Sequence, residues 1–299
     1  MENRYVPLRL PLRFRGRLAA LAGLIVALVP AAAAHAQTPP PPPSRFGITD
    51  NSFLVEEAFN QDPGVVQNIF MVIRSTDRRW DGSFTQEWPL GGMRHQLSFT
   101  LPASMVLGDA AVGDVMLNYR YQVWTEHARL PAFAPRLSVI LPSSSETRSR
   151  VGPDPGWQFN LPFSREFGRL YLHANAGATW IKDRLDSETR PAEWTNIPSV
   201  AASANWAVTS MFQLMLETYG QSASQLDASR QNTVIVSPGL RTGWNVGERQ
   251  VVIGLAVPFT SGDLHDRGVI VYGSLEMPFK KDQGKGQKAK GKGRVEGRR

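Results

Sequence analysis

Residues 168–181, GRLYLHANAGATWI, alternate without a break. Leu170, Leu172, Ala174, Ala176, Ala178 and Trp180 form one set; Tyr171, His173, Asn175, Gly177 and Thr179 form the other. A period of two puts the sets on opposite faces of one strand, one apolar and one polar. Strands of soluble proteins average about 5–6 residues, whereas a tilted strand crossing a bilayer needs about 9–11. A run this long calls for surroundings that are apolar on one side and polar on the other.

The same alternation returns along the chain. Segments 67–74, 83–88, 96–102, 114–123, 135–141 and 157–163 precede it, and 200–208, 212–220, 234–244, 251–259 and 269–279 follow. Together with 168–181 they predict twelve strands. No residue signature repeats with them, which argues against a propeller or solenoid. Tight turns at 89–92, 164–168, 209–210 and 246–249 take alternate connections with longer polar loops at 142–156, 182–195, 221–231 and 260–268. Short turns on one side and long loops on the other are the pattern of an outer-membrane barrel. Segment 125–134 departs from it, standing where a short turn is expected. Trp88, Phe163, Trp206, Phe212, Trp244 and Phe279 fall at the short-turn ends, and Trp157, Trp180 and Phe259 near the long-loop ends. Aromatic girdles at two membrane interfaces would place them so. A soluble sandwich or lipocalin-like barrel would share the alternation with inside and outside exchanged. Strand length and the girdles favour the membrane barrel, an all-β, antiparallel fold occupying 67–279.

The two ends read differently. Arg4, Arg9, Arg13, Arg15 and Arg17 precede the apolar run 18–29 and the small residues Ala34-His35-Ala36, so 1–36 reads as a cleaved export signal with cleavage after Ala36. The apolar run is too short to be a membrane anchor, which needs about 20 residues. A Pro-rich stretch makes 37–49 a stiff spacer. The formal net charge of +7 sits at the ends: 1–36 carries +4 and 280–299 carries +7, leaving 37–279 at −4. The tail is basic and Gly-rich, an extended chain on the periplasmic side. Its composition suits an anionic polymer such as peptidoglycan; export removes nucleic acid as a partner. With no Cys there is no disulfide framework and no thiolate chemistry.

DNSFLVEEAFNQDPGVVQNI (50–69) followed by GDVMLNYRYQ (113–122) resembles the family of outer-membrane transporters named for the meta pathway of phenol degradation. The resemblance covers roughly 50–141. It implies an outer-membrane protein, in contact with outer-membrane lipid, that takes up small hydrophobic or aromatic solutes; it brings no catalytic residues and no cofactor.

Segment 50–66 fits the barrel pattern least well. Asn51 or Ser52 could cap a short helix with Glu56 and Glu57 in its first turn, ended by Pro63-Gly64. Two readings stand side by side: a plug folded into the lumen, its acids meeting inward arginines, or a periplasmic extension leading to the first strand. On the alternation, Arg94, Asp114, Asn118, Arg120, Arg136, His173, Glu217, Tyr219, Arg241 and Glu276 line the lumen, with Gln158, Asn160 and Asn175. Ionised groups at bilayer depth must be paired or wet. These either brace a filled interior or line a wet path, and bracing suits a barrel of few strands.

An enzyme is not expected. HANAG (173–177) resembles the His-containing stretch of the outer-membrane phospholipase, but Asn175 stands where that enzyme has Ser, and His173 is on the lumen set. A base needs a nucleophile within reach. His95, His127 and His265 have no metal-ligand spacing. The expectation is a passive outer-membrane channel for small hydrophobic or aromatic solutes. The alternative is a closed structural barrel that anchors the envelope through its basic tail.

Overall fold

The computed structural model describes residues 47–279, apart from 49, 107–108, 128–129, 145–146, 148–153, 184–192 and 225–229. The export signal, most of the Pro-rich spacer and the basic tail lie outside the described residues. Among the described residues fifteen strands follow one another: β1 (Val65–Ser75), β2 (Trp80–Pro89), β3 (His95–Val106), β4 (Asp109–Val112), β5 (Met116–Tyr121), β6 (Ala132–Phe133), β7 (Arg136–Ile140), β8 (Gly156–Phe167), β9 (Leu170–Asp183), β10 (Glu193–Thr209), β11 (Phe212–Ser224), β12 (Arg230–Val246), β13 (Arg249–Ala256), β14 (Phe259–Gly262) and β15 (Asp266–Pro278).

Six of these are halves of three interrupted staves. β4 and β5 pair successive parts of β3, β6 and β7 pair β8, and β13 and β14 pair β12. Pro135 and Pro258 stand at two of the interruptions, where a residue without an N–H leaves the ladder. Twelve antiparallel staves remain, and β1 closes on β15 from Val65↔Pro278 to Ser75↔Gly268. The fold is a closed twelve-stranded transmembrane β-barrel.

Burial shows which face is which. Leu97, Leu117, Leu172, Leu214, Leu216, Leu240, Ile253, Leu255 and Val271 are exposed on the outer face. Gln96, Asn118, Arg120, His173, Ser203, Asn205, Gln213, Glu217 and Arg241 are buried within. A soluble fold would reverse the two sets. Phe167, Trp206, Trp244 and Phe279 are exposed at the short-turn rim, and Trp157, Trp194 and Phe259 at the other. Gly168 and Gly247 turn two of the hairpins at φ 65° and 63°, in the left-handed region that a side chain resists.

Three details differ from the sequence expectation. Segment 125–134 is no open loop: Trp124↔Phe133 and His127↔Leu130 bridge across it and β6 pairs with β8, so the pairing of the β5–β7 hairpin continues to the His127↔Leu130 bridge. Residues 50–62 form no helix. Asn51 Oδ1 does accept from Glu57 N (3.1 Å), but the neighbouring N–H groups go to the barrel wall instead of to helical carbonyls. Pro63 and Gly64 form a turn, Gly64 at φ 87°, closed by Val65 N donating to Asp62 O at 3.1 Å. Finally, β1, β13 and β15 are apolar on both faces. Ile69, Met71 and Ile73 face inward from β1, Val252 and Ala256 from β13, and Ile270 and Tyr272 from β15, making an internal apolar stripe with Ile48, Phe53 and Met215.

Closure by a complete hydrogen-bonded ladder resists detergent. Unheated protein should therefore run faster than boiled protein on a detergent gel; identical mobility would contradict a closed barrel.

Candidate functional site: a plugged lumen

The described residues of 47–62 thread through the barrel interior. Asp50, Ser52, Phe53, Val55, Glu57, Ala58 and Asn60 are all buried. Of the two readings left open by the sequence, the segment takes the lumenal one. Among the described residues no backbone–backbone hydrogen bond ties 47–61 to a strand. Wall side chains take the place of a ladder, because every buried N–H and C=O needs a partner.

Five N–H groups of the plug donate to the wall. Leu54 N reaches Glu217 Oε1 (2.8 Å), Glu56 N reaches Asn175 Oδ1 (2.8 Å), Ala58 N reaches Ser164 Oγ (2.7 Å), Asn60 N reaches Gln122 Oε1 (3.2 Å) and Gln61 N reaches Gln96 Oε1 (2.7 Å). Carbonyls are met in the same way. Gln250 donates to Gly47 O, Gln213 to Ile48 O, Asn175 to Glu56 O and Gln122 to Ala58 O. Asn175 and Gln122 each meet both a donor and an acceptor of the plug, as a primary amide can.

Three arginines carry the charge. Arg241 sends Nη1 to Asp50 O and Asn51 O (both 2.7 Å) and Nε to Gln213 Oε1 (2.8 Å), with Nη2 3.6 Å from Glu57 Oε1. Arg120 donates to Glu57 O (3.1 Å) and Asn60 Oδ1 (2.9 Å), and lies 3.6 Å from Glu87. Arg136 Nε is 2.6 Å from Glu56 Oε1, whose other oxygen accepts from Asn160 Nδ2 at 2.8 Å. His173 sits between Ser164 Oγ (2.8 Å from Nδ1) and Glu57 Oε1 (3.5 Å from Nε2).

Glu56 and Glu57 differ in their surroundings. Burial by itself would raise both carboxyls. For Glu56 the Arg136 and Arg120 guanidiniums and the Arg136 and Asn160 hydrogen bonds outweigh it and hold the group below its usual range. For Glu57 burial prevails over Arg241, Asp50 adds repulsion, and the carboxyl is pushed up to about 7.

The residues singled out from sequence are thus distributed unevenly. Arg120, Arg136, His173, Glu217 and Arg241 converge on the plug with Glu56 and Glu57. Asn118 stands beside them, accepting from Arg136 at 3.0 Å. Tyr219 lies beyond the plug contacts and donates to Gln221 (3.2 Å). Glu276 shares the inner face with Ser274 and pairs across from Gln67. Arg94 is in the β2–β3 turn rather than on a strand. Asp114 lies in the interruption between β4 and β5, where it accepts from Ser144 N at 3.0 Å. The residues not singled out include Ser164, Gln96, Gln122 and Gln213. Their signal was available, since each shares the polar parity of its strand, and Ser164 is the cross-strand partner of His173. Phe53 gave no such signal.

A closed barrel with polar interior, apolar exterior and a lumenal N-terminal segment defines an outer-membrane β-barrel protein. The chain belongs to the family described as "Putative MetA-pathway of phenol degradation", whose sequence profile matches residues 44–259. Among solved structures it is similar to the COG4313 outer membrane channel from Pseudomonas putida F1, with a TM-score of 0.55 at 11% identity over 74% of this chain and 98% of that one. It is also similar to the NanC porin, with a TM-score of 0.50 at 11% identity over 71% of this chain and 99% of that one. No curated protein matches the chain in sequence. At these identities the likeness is one of fold.

Plug release can be read with a thiol, because the chain has no Cys and Ser52 is buried. In a Ser52→Cys reporter, Glu56→Gln should speed maleimide labelling about tenfold or more, since a charge-assisted hydrogen bond contributes about 1.5–3 kcal/mol. A raised pKa in the plugged state means that Glu57 stabilises the plug fully below about 4.5 and that this contribution is lost as pH rises through about 7. Labelling, corrected for the thiol's own titration, should therefore accelerate over that window, and Glu57→Gln should flatten the rise.

Proposed function

We propose that this protein is an outer-membrane channel for passive uptake of small, hydrophobic or aromatic solutes, with residues 47–62 as a resident plug that must move for passage. The carrying observation is how the plug is held. Side chains fasten it, and the twelve-stave ladder is complete without it, so it can leave and no strand pairing is lost. Membership of the phenol-degradation family supports the choice of solute class. The reading involves no catalysis: Ser164 and His173 are buried under the plug, with the Ser164 hydroxyl accepting from Ala58 N. The export signal and its cleavage after Ala36 belong to the same reading.

A second reading rests on the same filled lumen. A barrel that never opens would be structural, anchoring the envelope to peptidoglycan through the basic tail 280–299. Full-length protein would then co-sediment with purified cell wall in a salt-sensitive manner, because such contacts are screened.

Planar bilayers separate the two readings. Wild-type protein should be closed most of the time, and Phe53→Ala with Glu56→Gln should raise the open fraction several-fold and admit a small aromatic alcohol to liposomes. The same pair of substitutions is also made in the Ser52→Cys reporter. If that protein labels rapidly, stays heat-modifiable and still passes neither ions nor solute, the channel reading fails.

A further inference from the structure

Among the plug residues, Phe53 is the aromatic side chain buried against the apolar part of the wall, and the wall is cut to receive it. Its ring packs against Tyr272, centroids 4.8 Å apart, within the stripe formed by Met215, Val252, Ala256 and Ile270. Two strand glycines make the room. A Cβ at Gly254 would lie 2.2 Å from Phe53 Cζ, and one at Gly239 would lie 3.3 Å from Cε2. Strand glycines of this kind mark a close approach by a ligand or another chain segment.

The slot adjoins a buried cation. Arg241 is on the same inner face as Gly239 and is the cross-strand partner of Gly254. With the plug in place, Asp50 O, Asn51 O and Glu57 surround its guanidinium, and Gln213 is its wall partner. All but Gln213 leave when the plug leaves. A buried guanidinium stripped of its acceptors is costly unless an anion or water replaces them. Two further polar atoms line the slot: Ser237 Oγ, two residues from Gly239, has no hydrogen-bond partner even when the plug is seated, and the Tyr272 hydroxyl, on the ring that packs against Phe53, is met by the carboxylate of the plug's own Asp50. Both side chains are more than nine-tenths buried.

We infer that this slot is a binding site for an aromatic carboxylate, its ring in the place of Phe53 and its carboxylate on Arg241, so that such a solute displaces the plug. The inference rests on the channel reading above and narrows its solute class. Phe53 and the plug acceptors then act as an internal mimic of the solute. A tethered group competes at an effective concentration in the millimolar range. The solute accordingly needs millimolar levels to open wild-type protein and much lower levels once Phe53 is removed.

Benzoate is the probe, with acetate as charge without ring and toluene as ring without charge. In full-length Ser52→Cys protein in detergent, millimolar benzoate should accelerate maleimide labelling at least tenfold, and neither control should do so at the same concentration. Calorimetry should show benzoate binding at least tenfold tighter to Phe53→Ala than to wild type. Adding Arg241→Gln or Gly254→Leu to Phe53→Ala should abolish that binding, heat modifiability reporting that each barrel is assembled. Acceleration by acetate or toluene equal to that by benzoate overturns the site, as does failure of Phe53→Ala to bind benzoate. Tight binding that survives both added substitutions overturns it too. Ion flux in bilayers is read separately. Flux from an unplugged variant with no benzoate effect leaves the channel standing and removes the site, whereas specific benzoate binding without flux from any variant does the reverse.

Discussion

A backbone in hydrocarbon has no water to bond with, so every N–H and C=O must find a partner within the protein. A sheet meets that demand only by closing, and the eleven-residue register between β1 and β15 is where this one does so. The rest follows from closure. Staves alternate because one face meets lipid and the other the lumen. Their number is even because β1 begins at the rim where β15 ends, Val65 opposite Pro278. Pro135 and Pro258 stand where a stave is interrupted, while Pro102, Pro162, Pro198 and Pro238 lie within strands.

Closure creates a polar interior that cannot collapse on itself. The chain answers with its own N-terminal segment. An added strand would have needed an edge, and a closed barrel has none. The segment therefore lies against side chains, with amides and hydroxyls matching its peptide groups and three arginines matching its carbonyls and acids. Such a seat is specific yet separable, since its loss leaves the ladder whole. On the β13–β15–β1 side the fit changes character: apolar inner residues and two glycines accept a phenyl ring.

Much of this was legible in the sequence. Period two persisted because a lipid face tolerates few polar residues, so the twelve staves could be read strand by strand, and the facing of those that alternate with them. Arg120, Arg136, His173, Glu217 and Arg241 could be assigned to the lumen from parity once strand length and the aromatic girdles had turned the apolar face to lipid. The helix expected near Asn51 did not form, because the donors that would have bonded along the helix are taken by Glu217, Asn175 and Ser164. Segment 125–134 looked like a loop because its pairing is interrupted and ends in single bridges. In β1, β13 and β15 the apolar run is continuous, and a continuous run does not say which of its residues face inward.

The sequence by itself determined the class of fold, since alternation, turn lengths and aromatic ends are local patterns that a bilayer imposes one strand at a time. Only the tertiary structure decided what fills the lumen. Plug and wall lie far apart along the chain: Asp50 meets Arg241, Leu54 meets Glu217 and Phe53 meets Gly254. No short-range pattern relates such positions. Once the barrel has closed they share one confined space, where unpaired charges and peptide groups are costly, and that cost selects their pairing.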